Sequence, residues 1–319
     1  MRRQEWLIGA SVSWFREKLA MGWMSDDDWR CTPIKYVPES RLVCRLKGRW
    51  QFVAGGDKWV RAYVRISRLD GSAEQVEVLN AVKGALVRAD MPFDVPSPLA
   101  AMPEHHLLAT EFVRGTTLRQ HVEAGHLSTV IEACRRIARL SQLDGIHILR
   151  PRPTLSPGPR LMLAELVAAA PSLAVHLHTL GDWAHTLPEP PAALLPVHGD
   201  LHAGQIIEKN EQFFLVDWDR AALGDPTCDI CNLASEVEYR QQLMDVQGAR
   251  LTAMDLIDAW RSVNGAFNSE AAPWWFAYAC VLRAWGLLRH LRPNWSQGAE
   301  WLLQRAASVM RRRALVSGQ

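Results

Sequence analysis

The stretch Val197-His198-Gly199-Asp200-Leu201-His202-Ala203-Gly204-Gln205, with Leu215-Val216-Asp217-Trp218-Asp219 after it, decides the fold. Between them, Gln205-Ile206-Ile207-Glu208 and Phe213-Phe214-Leu215-Val216 read as short strands, and Lys209-Asn210-Glu211 as the polar turn joining them. A hairpin of that length returns Gln205 and Asp217 to one end. Transfer of a phosphoryl group to a hydroxyl needs a carboxylate that orients the hydroxyl and accepts its proton, and oxygen ligands that hold magnesium against the phosphates. Asp200, an amide five residues later and an Asp beyond the hairpin supply that set.

A third segment follows directly, Gly224-Asp225-Pro226-Thr227-Cys228-Asp229, running on as Ile230-Cys231-Asn232-Leu233-Ala234. In this order and spacing the three stretches resemble the aminoglycoside-phosphotransferase and choline-kinase superfamily, distant relatives of the protein kinases. The resemblance implies a two-lobed α+β fold of protein-kinase type and an ATP- and magnesium-dependent kinase for a hydroxyl of a small molecule. It makes Asp200 the catalytic base and Asp217 a magnesium ligand. Gln205 stands where the family usually carries Asn; both present an amide oxygen, and Gln is longer by one methylene. Asp225 and Asp229 are expected in structural roles, one in the turn and the other at a helix N-cap. His202 and Asp219 lie close enough in sequence to be either catalytic or positional.

Towards the N-terminus the texture is that of strands. Arg41–Lys47 and Trp59–Ser67 alternate apolar with charged residues, and Ala54-Gly55-Gly56-Asp57 suits the turn between them. Ser72–Arg88 has helical spacing, with Val76, Leu79, Val82 and Leu86 on one side. Prolines at 92, 96, 98 and 103 then break the chain before a further strand, Leu107–Val113, and the turn at Gly115. By resemblance, the backbone of Glu111 and Val113 would meet adenine at a hinge. The strand Ala62–Ile66 resembles the one that carries the phosphate-binding Lys, and Arg65 occupies that place. Arg keeps the charge but is bulkier and donates as a planar fork. Its helix partner would be Glu77 or Glu74, with Glu77 favoured; an exposed strand charge is the plain alternative reading of Arg65.

Beyond Thr116 the sequence turns helical. Leu127–Leu143, Arg160–Leu180 and most of the chain after Ile230 carry helical apolar periodicity. The expected division is a nucleotide-binding lobe over residues 1–114, opened by a leading helix over 1–30, and a catalytic and acceptor-binding lobe over 115–319. Tryptophans of the last third (Trp260, Trp274, Trp275, Trp285, Trp295, Trp301) read as helix packing in preference to sugar stacking. Glu236 and Glu238 stand either as attractors of a cationic acceptor or as solvated helix surface.

Composition narrows the partners. The 319 residues carry 36 basic and 34 acidic side chains, a net charge of +2, so no general field draws nucleic acid or an anionic membrane. No apolar run reaches the roughly 18 residues of a bilayer span. Cysteines at 31, 44, 134, 228, 231 and 280 fit a reduced, cytoplasmic protein. Cys228-Asp229-Ile230-Cys231 has the spacing of half a zinc or redox site but lacks a second pair. The alternative to a kinase is a pseudokinase that binds nucleotide without turnover. It rests on Arg65 and Gln205 alone and is opposed by Asp200 and Asp217.

Overall fold

The computed structural model describes residues 30–37, 41–51, 57–67, 72–103, 106–151, 157–244, 249–263 and 265–316. The leading helix expected over 1–30 lies outside them apart from Arg30, as does the turn at 54–56. The chain divides into two compact units, Met1–Gly84 with Asp94–Arg114, and Ala85–Phe93 with Gly115–Gln319.

The first unit is built on an antiparallel sheet. Its strands are β1 (Arg30–Val37), β2 (Arg41–Gln51) and β3 (Asp57–Ser67), joined after helix α1 (Ser72–Arg88) and the two-residue β4 (Phe93–Asp94) by β5 (Pro98–Met102) and β6 (Leu107–Glu111). The order across the sheet is β1-β2-β3-β6-β5. Period-2 patterning dictates its faces. Ala62 and Val64 of β3 are buried while Arg61 and Tyr63 are exposed. Arg65 shares the outer face with Arg61 and Tyr63, yet it is only 8% exposed. The reading of Arg65 as an exposed strand charge is therefore overturned. The helix α1 buries Val78, Leu79 and Val82 and, in its last turn, which is counted with the second unit, Ala85 and Leu86, at the 3.6-residue period of its sequence.

The second unit is mainly helical. It contains β7 (Thr116–Thr117), α2 (Leu118–Glu123), α3 (Leu127–Ala138), α4 (Pro159–Ala169), α5 (Leu177–Trp183) and β8 (Leu195–Val197). The hairpin β9 (Ile206–Lys209) and β10 (Gln212–Leu215) follows, then β11 (Ala222–Gly224), α6 (Thr227–Leu243), α7 (Ala253–Arg261), α8 (Ala272–Arg289) and α9 (Trp295–Val316). Thr117 opens α2 with a reciprocal cap involving Gln120. The strand β8 pairs antiparallel with β11, Val197 against Ala222 and Leu195 against Gly224. That pairing sets the loop after Val197 beside the start of α6. The core is dominated by α6, α8 and α9, where Ile230, Leu233, Ala234, Trp274, Val281, Leu302 and Leu303 are all but inaccessible. Trp260, Trp274 and Trp275 are buried, as expected for helix packing. Among the described residues no helix is long and apolar enough to cross a membrane.

Candidate active site

The loop from His198 to Gln205 is held by its backbone. Gly199 has φ of +78°, and a Cβ built there would sit 2.2 Å from the carbonyl oxygen of Arg220. Only glycine meets both conditions. The N–H groups of His198 and Gly199 both donate to the carboxylate of Asp229, at 2.7 and 2.9 Å. Asp229 lies in the first turn of α6 and is 1% exposed. Its role is thus a clamp on the loop rather than the helix N-cap proposed for one of the two aspartates. Asp225 is the residue that meets the helix start, accepting from Thr227 N at 2.9 Å, and it accepts from Trp275 Nε1 at 3.1 Å through its other oxygen.

The far end of the loop is tied to the hairpin. Val216 N donates to Gln205 O at 2.9 Å, and Gln205 Nε2 donates to Asp217 Oδ2 at 3.3 Å. The imidazole of His198 approaches Val216 O through Nε2 at 3.0 Å, so this nitrogen carries the hydrogen. Asp217 has φ of +68°, a left-handed conformation that Asp tolerates better than most residues, at a local cost on the order of 1 kcal/mol. Gln205 is 4% exposed, and its Oε1 is buried with no hydrogen-bond partner. An amide oxygen left orphaned next to a carboxylate is the donor chemistry a hard cation requires.

A charge cluster lies beneath the loop. Glu236 of α6 is fully buried. Its Oε2 accepts from Ala203 N at 2.6 Å, and its Oε1 accepts from Arg119 Nη2 at 2.8 Å and Nε at 3.2 Å. Arg240 Nε and Arg283 Nη1 approach the same oxygen at 3.5 and 3.9 Å. Burial by itself would raise the pKa of this carboxyl, but Arg283, His202, Arg119 and Arg240 hold it down at about 2. His202 is shifted below its ordinary value, chiefly by burial, with Glu236 and Asp200 opposing the shift. Its Nδ1 accepts from Gly204 N at 3.1 Å, which requires an unprotonated nitrogen there. At neutral pH the 3.7 Å approach of His202 to Glu236 is therefore not an ion pair. Glu238 is likewise taken up internally, by Arg305 at 2.7 and 2.9 Å and by Ala253 N at 2.7 Å. Neither glutamate is a solvated helix charge or an open attractor for a cationic acceptor.

Asp200 itself lines a half-open cleft of the second unit with Cys228, Asn232, Trp275, Tyr278 and Leu282. Asp219 is exposed just after the hairpin. Cys228 and Cys231 are buried free thiols, and among the described residues no group of three His, Cys, Asp or Glu is arranged to hold a metal.

In the first unit, the guanidinium of Arg65 donates to the side-chain oxygen of Gln75 on α1. Glu74 and Glu77 are exposed. Gln75 was not singled out in the sequence, because an uncharged amide gives no signal beside two carboxylates. In the stretch expected to meet adenine, Glu111 N donates to Ser97 O at 2.8 Å and Phe112 N to Arg61 O at 3.0 Å. Val113 is 6% exposed. Structure thus joins Gln205 to Asp217 and Arg65 to Gln75, and it leaves Glu77 on the surface.

A model of the phosphotransferase enzyme family matches residues 48–266. No curated protein matches the chain. Among solved structures, similarity extends to macrolide 2'-phosphotransferase MphH from Brachybacterium faecium, at 15% identity, 92% of this chain, 98% of that one and a TM-score of 0.51. A thermostable mutant of aminoglycoside phosphotransferase APH(4)-Ia, in ternary complex with ADP and hygromycin B, aligns at 14% identity over 95% and 98% of the chains, with a TM-score of 0.56. Choline kinase from Cryptosporidium parvum Iowa II aligns at 13% identity over 92% of each chain, with a TM-score of 0.57. At these identities the likeness shows a shared kinase-like fold.

Proposed function

The chain belongs to the phosphotransferase enzyme family, and we propose that it transfers the γ-phosphoryl group of ATP to a hydroxyl of a small molecule. One observation carries this reading. The buried, unpartnered Oε1 of Gln205 lies on the side chain that hydrogen-bonds Asp217, while the loop bearing Gln205 presents Asp200 to a cleft. Gln205 and Asp217 are the residues that would hold magnesium. Bound there, the ion supplies charge neutralisation for the phosphates.

The chain's own residues do the rest. Asp200 orients the acceptor hydroxyl and takes its proton as the oxygen attacks phosphorus. Asp229 fixes the loop through His198 N and Gly199 N, so that Asp200 is held in place before substrate arrives. Glu236 fixes the other half of the loop through Ala203 N. In the first unit Arg65 is the cation for phosphate, with Gln75 in the place expected of Glu77. The adenine contacts are the backbone of Glu111 and Val113. Arg65 donates to the uncharged side chain of Gln75, and a guanidinium is a group suited to phosphate oxygens. Buried free thiols fit a reducing, cytoplasmic setting.

Titrating ADP release with magnesium tests the metal assignment. Asp217→Ala and Gln205→Ala should each raise the magnesium requirement about tenfold or more, since each removes an oxygen ligand. An unchanged magnesium dependence in both variants would reject the site.

A further inference from the structure

The amide of Gln205 is placed by a residue far from it in sequence. We propose that Arg119 is a positioning residue of the phosphoryl transfer: its guanidinium, bonded to the buried Glu236, clasps the turn at Ala203 and Gly204 and so sets Gln205 beside Asp217. The inference rests on the reading of Gln205 and Asp217 as cation ligands, and it adds a side chain that acts through them.

Sheet register brings Arg119 to that turn. The strand β7 pairs antiparallel with β9, Thr116 against Glu208 and Thr117 against Ile207. The chain going forward from Thr117 therefore runs beside the chain going back from Ile207, towards Gln205 and Gly204. Thr117 caps α2 reciprocally with Gln120, which fixes the direction in which the helix leaves the strand, and Arg119 is its second residue. The contact follows. A Cβ built on Gly204 would lie 2.9 Å from Arg119 Nη2 and 3.2 Å from Arg119 Cζ. The guanidinium thus lies directly against the backbone of the turn, with no room for a side chain at Gly204 unless it moves.

Glu236 completes the clasp. Its Oε2 accepts from Ala203 N at 2.6 Å, while its Oε1 accepts from Arg119 Nη2 at 2.8 Å and Nε at 3.2 Å. Two donors of one rigid fork on one oxygen fix the rotation of the carboxylate as well as its distance, and that rotation aims Oε2 at Ala203 N. Arg240 Nε and Arg283 Nη1 approach the same Oε1 at 3.5 and 3.9 Å, beyond the range of a strong hydrogen bond. They supply charge with little direction. Removing Arg119 therefore leaves Glu236 with counter-charge but free to turn. The Arg119 side chain is itself 36% exposed, so its replacement opens no sealed cavity. The turn passes its position on through the backbone: Gln205 N donates to His202 O and Val216 N donates to Gln205 O, both at 2.9 Å. Gln205 is thereby tied to the clasped turn on one side and to the residue before Asp217 on the other.

Calorimetric titration of the full-length protein with AMP-PNP, with and without magnesium, tests the proposal without turnover. The ratio of the two dissociation constants reports how well the protein holds the ion, and magnesium's own affinity for the nucleotide cancels between variants. Magnesium should tighten AMP-PNP in the wild type, and Gln205→Ala should lose that gain. Arg119→Met should cut the ratio about tenfold, the usual cost of removing a group that orients a metal ligand, with magnesium-free affinity unchanged. Arg119→Lys, which keeps the charge and can still donate to Glu236, should recover part of the ratio. Arg240→Met removes a cation from the same carboxylate without touching the turn, and it should keep the wild-type ratio. A wild-type ratio in Arg119→Met, or an equal loss in Arg240→Met, would overturn the positioning role of Arg119. A ratio that is unchanged in Gln205→Ala, or a wild type indifferent to magnesium, would instead overturn the metal reading from which the proposal starts.

Discussion

At the scale of single residues, the charge cluster beneath the loop gathers Arg119, Arg240 and Arg283 around the buried Glu236. Glu236 has a folded pKa of about 2 against an ordinary 4.5, so its ionised form stabilises the fold above pH 4.5. That stabilisation, about 3 kcal/mol by the linkage of 1.36 kcal/mol per pKa unit, is lost as pH falls from 4.5 towards 2. Glu236→Gln should therefore flatten the acid limb of stability in urea unfolding measured from pH 5 to pH 2. A variant that keeps the wild-type slope would show that another carboxyl carries it. The residue could not be read this way from sequence. Helical spacing places Glu236 on α6 but does not say which neighbours meet it, and its partners Arg119 and Arg283 are 117 residues before and 47 after it. Arg65 and Gln75 pose the same problem: which of Glu74, Gln75 and Glu77 on α1 faces β3 depends on how the helix is rotated about its axis.

At the scale of elements, the loop between β8 and β9 is positioned by α6 more than by its own turn chemistry. Asp229 satisfies two buried backbone N–H groups, and leaving both unpartnered costs about 2–5 kcal/mol. Asp229→Ala should lower the unfolding free energy by that amount, and any folded fraction should lose turnover because Asp200 is no longer held. A loss under about 0.5 kcal/mol, the range of an ordinary surface substitution, would mean that water or another group replaces the clamp. Element types were legible in the sequence wherever periodicity ran long. The strands around Leu42–Leu46 and Ala62–Val64, the helix Ser72–Arg88 and the hairpin across Lys209–Glu211 follow from alternation, from the 3.6-residue repeat and from a polar turn. The expected helix over Arg160–Leu180 instead divides into α4, a short 3-10 turn over Pro171–His176 and α5. Pro171 explains the break, since it removes a helical donor and clashes with the preceding turn.

At the scale of the whole molecule, the family assignment and the site rest on different grounds. Order and spacing of three short motifs were enough to name the superfamily by resemblance, and the family model over residues 48–266 agrees. The acceptor was not legible, since it depends on which side chains of α6 and α8 face one cleft. Three similar folds acting in the company of macrolides, hygromycin B and choline show how little the fold alone restricts the acceptor. The central claim is that Asp200 is the base of a phosphoryl transfer. Acceptor-stimulated release of ADP from magnesium-ATP, measured for the wild type and Asp200→Ala side by side, tests it most directly. The account predicts stimulated release in the wild type and a loss of about a hundredfold or more in the variant, with ATP affinity unchanged. Stimulated release that survives in Asp200→Ala would contradict it.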